Sequence, residues 1–230
     1  DAYYYRLKNY RNELQLQNRM LHSEIKALRA QMNPHFIFNS LNSIQQFIFT
    51  NKKEEANEYL SEFAKLMRMM LEHSKENFIA VAEELQFLRL YLKLEQHRLG
   101  NRFEYNISFN EEFIIETCYI PSMVLQPFVE NAIVHGLAPK SGQGMLDIKF
   151  ELLNKNLLCK IKDNGVGRKN LSKSISDKHS FAIKATQDRI NAINSAHHTK
   201  VHFKIIDLTN TTNESNGTLI EINFPEVNTY

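Results

Sequence analysis

Leucine recurs every seven residues at the head of the chain, as Leu7, Leu14, Leu21 and Leu28. Tyr3, Tyr10, Ile25 and Met32 add a second apolar row that Gln17 interrupts. A period of 3.5 residues held over about four heptads predicts a coiled coil over residues 1–30; a lone amphipathic helix is the other reading. Pro34 lacks a backbone donor and predicts a kink or a restart of the helix there. Beyond it Ile37, Leu41, Ile44 and Ile48 form one helical stripe. His35, Asn39, Asn42 and Gln46 form another, roughly opposite, which puts His35 on a polar ridge. A polar turn over 51–55 leads to a second amphipathic helix bearing Leu60, Phe63, Met67, Met70 and Leu71. Two antiparallel helices cannot hide both stripes alone, whereas a dimer forming a four-helix bundle can. A third helix, about 82–99, carries Leu85, Leu88, Leu92 and Leu99 and stops at Gly100.

After Gly100 the pattern shortens to strand-like runs at 102–109, 145–153, 157–163, 201–208 and 218–224, with helices about 122–136 and 181–195 between them. Asn154-Lys155-Asn156 reads as a hairpin turn, and 209–217 as a polar loop joining the last two strands. Punctuation agrees: before Gly100 there is no glycine and one proline, Pro34. The expected fold class is a helical arm, coiled coil then dimerising hairpin, followed by an α+β layer.

Among 230 residues, 43% hydrophobic and 23% charged fit a folded, soluble chain. Lys plus Arg total 28 against 26 for Asp plus Glu, a balance that argues against direct binding to a nucleic-acid backbone. Cys118 and Cys159 have neither disulfide nor zinc spacing. No apolar run reaches the ~18 residues of a bilayer crossing. The chain opens on Asp1 rather than Met and reads as part of a longer protein, with room for a membrane segment before residue 1. Tyr3-Tyr4-Tyr5-Arg6 suits a membrane boundary.

There is no GxxxxGK[ST] loop, and Gly142-x-Gly144 and Gly165-x-Gly167 both lack a dinucleotide fingerprint's third glycine. Two clusters remain. In Pro127-Phe128-Val129-Glu130-Asn131-Ala132-Ile133-Val134-His135-Gly136, Glu130, Asn131 and His135 are adjacent or one turn apart. A carboxylate, an amide oxygen and an imidazole there suit a hard ion such as Mg²⁺ and a polarised water. The competing reading is an exposed helix end with His135 near the negative pole of the dipole. Asp163-Asn164-Gly165-Val166-Gly167 ends an apolar strand and is first of all a turn. Its alternative role is a carboxylate accepting from a nucleobase amine, with glycines that admit close backbone approach.

In this order and about 30 residues apart, the clusters resemble the N box and G1 box of the GHKL ATP-binding fold. The segment Gln31-Met32-Asn33-Pro34-His35-Phe36-Ile37-Phe38-Asn39-Ser40-Leu41-Asn42 resembles the phosphoacceptor signature of LytS/YehU-type sensor histidine kinases. Glu83-Glu84-Leu85 through Tyr91-Leu92 to Arg98 resembles that family's interdomain segment. The resemblance implies residues 1–30 as a signalling coiled coil, 31–76 as dimerisation and phosphoacceptor helices, and 77–230 as a GHKL-type α/β sandwich. It implies ATP and Mg²⁺, His35 as the phosphorylated histidine, Asn131 as the Mg²⁺ ligand and Glu130 in a supporting or base role. Asp163 reads the adenine amine, and Gly165 and Gly167 shape the pocket that His135 adjoins. Lys140 stands between a phosphate contact and an exposed loop lysine. Ala182 occupies a position where the family has glycine; it weakens nucleotide grip if that position needs positive φ and is harmless in a helical turn. Phe36 stands where many histidine kinases carry an acid, which leaves the base for His35 unassigned. The Ser- and Lys-rich stretch 168–180 is expected as a mobile lid. The implied partners are a second copy of the chain and a response-regulator receiver domain. The implied location is the cytoplasmic part of a bacterial inner-membrane sensor. The alternative is a catalytically silent dimeric scaffold.

Overall fold

The computed structural model describes residues 34–110, 118–167, 173–209 and 215–225; the predicted coiled coil and the kink before Pro34 lie outside them. The chain divides into two compact units, 1–60 and 61–230.

In the first unit, α1 (Pro34–Phe49) and the start of α2 (Lys53–His73) are joined by a turn in which Asn51 takes φ +58. Glu54 and Glu55 in the first turn of α2 suit its positive pole. Within the single chain the stripe of Ile37, Leu41, Ile44 and Ile48, expected to be covered in a dimer, is not the face of α1 that is fully buried. That face runs through Phe36, Ser40 and Ser43, because small Ser40 admits Tyr59 of α2, whose hydroxyl lies 3.4 Å from Ser40 Oγ and whose ring tilts against Phe47. Phe38 (65% exposed), Leu41, Ile48 (60%), Phe49 and, on α2, Leu60 remain open.

The second unit is the α+β layer. β1 (Phe78–Ala80) pairs antiparallel with β3 (Tyr119–Pro121) in a small sheet that the hydrophobic pattern was too short to announce. α3 (Val81–Arg98) follows directly, Glu83 at its third position accepting from Ala80 N–H at 3.1 Å. Beyond the predicted leucine stripe, Phe87, Tyr91 and Leu94 are buried as well, so α3 is enclosed on most sides. The main sheet has the order β2-β4-β5-β7-β6, from β2 (Phe103–Phe109), β4 (Gly144–Leu153), β5 (Asn156–Asp163), β6 (His202–Thr209) and β7 (Ser215–Phe224). β2 and β4 are parallel and the other pairs antiparallel. The hairpin between β4 and β5 turns on Asn154 (φ +48) and Lys155 (φ +65), a pair of left-handed residues as a tight two-residue loop demands.

Alternation puts Leu146, Ile148 and Phe150 of β4, Leu157, Cys159 and Ile161 of β5, and Ile220, Ile222 and Phe224 of β7 on the core face. α4 (Gln126–Asn131) meets the sheet through Phe128, edge-on to Phe203 at 4.8 Å. The helix expected from Ser122 begins only at Gln126, because Pro127 belongs in a first turn. It then widens into a π-helical segment, Ala132–Leu137, closed by Ala138 N–H to Ile133 O at 2.8 Å. α5 (Lys173–His197) corrects the predicted lid: residues 173–180 are helical, since Ser and Lys without Gly or Pro present no barrier to a helix.

Candidate nucleotide site

Asp163 is the last core-facing position of β5, continuing the row Leu157, Cys159, Ile161. Register alone therefore buries a carboxylate: it is 3% exposed and lies between Leu146 and Thr218 in the ladders. Burial pushes its pKa from 3.8 up to about 6, against the pull of N–H groups of Gly165, Thr218 and its own backbone and of the Lys140 charge. Its Oδ1 accepts from Gly165 N–H at 2.8 Å. Asn164 ties the same turn to β4 by accepting from Met145 N–H at 2.8 Å.

The second cluster meets this turn backbone to backbone. Val166 N–H donates to Gly136 O at 3.0 Å, and a Cβ on Gly165 would sit 2.3–2.5 Å from the Gly136 backbone. Only glycine permits that approach. Two segments about 30 residues apart thus share one site. A π-helical turn at such a junction is the widened geometry often found at functional positions. Asn131 closes α4, 8% exposed. Its amide oxygen is of the kind a hard ion takes. Glu130 beside it has its pKa raised from 4.5 to about 7, first by burial and then by the charge of Glu95. Glu95 on α3 is gripped by Arg98 at 2.9 and 2.6 Å.

His135 lies in the π-helical segment, half-buried. Lys140 bonds through Nζ to the Asn164 carbonyl, so it braces the Asp163 turn. Gly167 takes φ +69. Residue 182 lies in the interior of α5, where a negative φ makes alanine a favoured residue. His35 is the second residue of α1, in the first unit. Gly217 is the participant that pattern reading missed: at φ +105 its Cα is so close that a Cβ would fall 2.0 Å from the Asp163 carbonyl. An isolated glycine near the head of a strand was the available signal.

The donor set fits Mg-ATP. Asn131 offers one hard oxygen, and no cage of three or more His, Cys, Asp or Glu exists among the described residues. A Mg²⁺ here would rest on Asn131, waters and phosphate oxygens, as is usual for this ion. Asp163 offers a buried acceptor for a nucleobase amine.

The family model for histidine kinase matches residues 23–103. The sensor histidine kinase YpdA of Escherichia coli is 33% identical over 145 residues, 63% of this chain and 25% of that protein. The sensor protein LytS of Staphylococcus saprophyticus is 37% identical over 148 residues, 63% and 24%. The chain therefore spans about a quarter of the length of the curated relatives it matches. A solved catalytic domain of histidine kinase ThkA aligns over 65% of this chain and 95% of its own length, at 12% identity and a TM-score of 0.41; that likeness is too distant to carry an argument. Among the described residues no helix is long and apolar enough to cross a membrane.

Proposed function

From a chain whose residues 23–103 match the histidine kinase family model, we propose that this is the catalytic core of a sensor histidine kinase that phosphorylates His35 from Mg-ATP and passes the phosphoryl group to an aspartate of a response-regulator receiver domain. The observation that carries the reading is the Val166–Gly136 bond at 3.0 Å, which joins the segment that follows Asn131 to the turn that follows the buried carboxylate of Asp163. Domain roles follow the resemblance: residues 1–30 a signalling coiled coil, 31–76 the dimerisation and acceptor helices, 77–230 the nucleotide-binding domain. The open apolar residues Phe38, Leu41, Ile48, Phe49 and Leu60 support a second copy as the partner that covers them. A segment before residue 1 is the proposed route of membrane attachment.

Asn131 would hold Mg²⁺, which would supply charge neutralisation to the phosphates. Asp163 accepts from the adenine amine, and the glycine turn lets backbone N–H groups approach the nucleotide. Lys140 holds that turn. One ring nitrogen of His35 attacks the γ-phosphorus as neutral imidazole, the form with a lone pair to give. The bond from phosphorus to the bridging oxygen breaks, ADP leaves with the electron pair, and the imidazole releases its proton. In the second step the receiver's carboxylate oxygen attacks phosphorus, the P–N bond breaks with its electron pair on nitrogen, and the ring takes up a proton from water to leave as neutral imidazole. Positioning and charge neutralisation carry most of such a transfer.

The test is incubation with radiolabelled Mg-ATP of wild type, His35→Gln and Asn131→Ala. Acid-labile label in wild type, lost in both variants while His35→Gln still binds a fluorescent ATP analogue, is the expected result. A folded wild type that takes no label refutes the kinase reading and leaves the silent scaffold.

A further inference from the structure

Between β3 and α4 the chain makes a turn that its own residues do not favour. Met123, 1% exposed, has φ +55, a left-handed backbone that a bulky side chain resists. Such a conformation persists only where the surroundings over-determine it. Three helices of the second unit supply those surroundings. The carboxylate of Glu84 on α3 accepts from Met123 N–H at 3.0 Å and Leu125 N–H at 3.2 Å. The guanidinium of Arg189 on α5 donates to the Ser122 carbonyl at 2.7 Å and the Met123 carbonyl at 3.3 Å. Ser122 Oγ donates to the carbonyl of His73, the last residue of α2, at 2.6 Å. The acid thus takes the donor side of Met123 and the base its acceptor side.

Mere filling of the core does not call for this arrangement. Glu84 is fully buried, and buried polar or charged groups are often matched in stability by apolar side chains of the same volume. What charged groups add is a fixed geometry, through fork-shaped donors and an acceptor that takes two bonds. The geometry is fixed three residues before α4, the short helix that ends in Glu130 and Asn131.

We propose that Glu84 and Arg189 are positioning residues, a two-sided clamp on the Ser122–Met123 turn that sets where Asn131 presents its oxygen to the Mg²⁺ of a bound nucleotide. The proposal rests on the nucleotide-binding reading above. It also makes the end of α2 part of the same clamp, through Ser122, so a shift at that end reaches the Asn131 helix by way of the turn.

The test measures affinity of the full chain for a fluorescent ATP analogue with Mg²⁺ present and with it chelated. Wild type is compared with Glu84→Gln, Arg189→Lys and Leu157→Ala. Leu157 is buried at the far end of β5 from Asp163, so its truncation lowers stability without touching the clamp. The Mg²⁺-dependent gain in affinity is expected to fall about tenfold in Glu84→Gln and in Arg189→Lys, the scale on which a metal site responds when the groups supporting its ligand are removed. In Leu157→Ala the gain stays at the wild-type value although the melting temperature drops. A wild-type gain in Arg189→Lys, or an equal loss in Leu157→Ala, overturns the clamp. Arg189→Lys keeps the charge opposite Glu84 and decides the matter even if Glu84→Gln does not fold. A wild type that binds no nucleotide overturns the kinase reading and the clamp together. A wild type that binds with a Mg²⁺-dependent gain leaves the kinase reading standing whatever the clamp variants do.

Discussion

Replacing Gly165 by alanine is the sharpest single perturbation of the junction between the two clusters. Its Cβ would meet the Gly136 carbonyl carbon at 2.3 Å, the oxygen at 2.4 Å and Cα at 2.5 Å. All three are backbone atoms, so no rotamer change relieves the clash. Restoring ordinary contact at 3.4 Å needs the strands of chain to part by about 1 Å. That separation breaks the 3.0 Å bond from Val166 N–H to Gly136 O. Losing the bond costs about 1 kcal/mol, and forcing atoms into a packed site costs about 1–3 kcal/mol more. A total of about 2–4 kcal/mol lowers the melting temperature of a unit this size by about 5–15 °C. The same displacement moves the Asn131 segment off the Asp163 turn, so nucleotide binding falls with stability. Gly100→Ala is the matched control: its φ of +64 strains an alanine, but no atom lies within 4 Å of the new Cβ. Its loss is about 1–2 kcal/mol from backbone conformation alone, with nucleotide affinity intact. Thermal unfolding with and without nucleotide reads both variants. A Gly165→Ala protein melting within about 2 °C of wild type and binding nucleotide equally refutes the reasoning.

Two further outcomes concern stability. Asp163 has its folded pKa raised from 3.8 to about 6, and Glu84 from 4.5 to about 7, chiefly by burial. The folded chain holds these protons where the unfolded chain has released them, so this stability is complete below about pH 4 and is lost as pH rises towards 7. For Asp163 the span is worth about 3 kcal/mol. Asp163→Asn should therefore flatten the fall of the melting temperature between about pH 4 and 6, and an unchanged slope contradicts the burial argument. Protonation of His73, whose pKa burial lowers, opposes this trend on the acid side. At the hairpin, Lys155→Gly relieves a left-handed residue at φ +65 and should raise stability by about 1 kcal/mol in denaturant titration; a loss there contradicts the turn assignment.

Much of the architecture is local and was legible. The five main strands, the hairpin at Asn154-Lys155 and the buried rows of β4 and β5 follow from alternation and turn chemistry, which act over a few residues. Asp163 could be placed on the core face by counting in twos from Leu157. The two clusters carried their residue types, and the acceptor-like segment around His35 its family resemblance, in the order of the letters alone. Which face of α1 turns to α2 was not legible, because Ser40 admits Tyr59 by being small, a matter of fit between two helices rather than of hydrophobicity. Nor were β1 and β3, each too short to show a period. Gly136, Gly165 and Gly217 were visible as glycines, but their necessity comes from backbones about 30 and 50 residues apart in sequence meeting within a few ångströms. The left-handed turn at Met123 belongs to that same class. Nothing in Ser-Met-Val-Leu announces it, and it exists because a glutamate 39 residues earlier and an arginine 66 residues later close on it from two sides. Periodicity settles what each segment does with its neighbours in the chain; steric exclusion and hydrogen bonds across the fold settle which segments meet, and the candidate site is made where they meet.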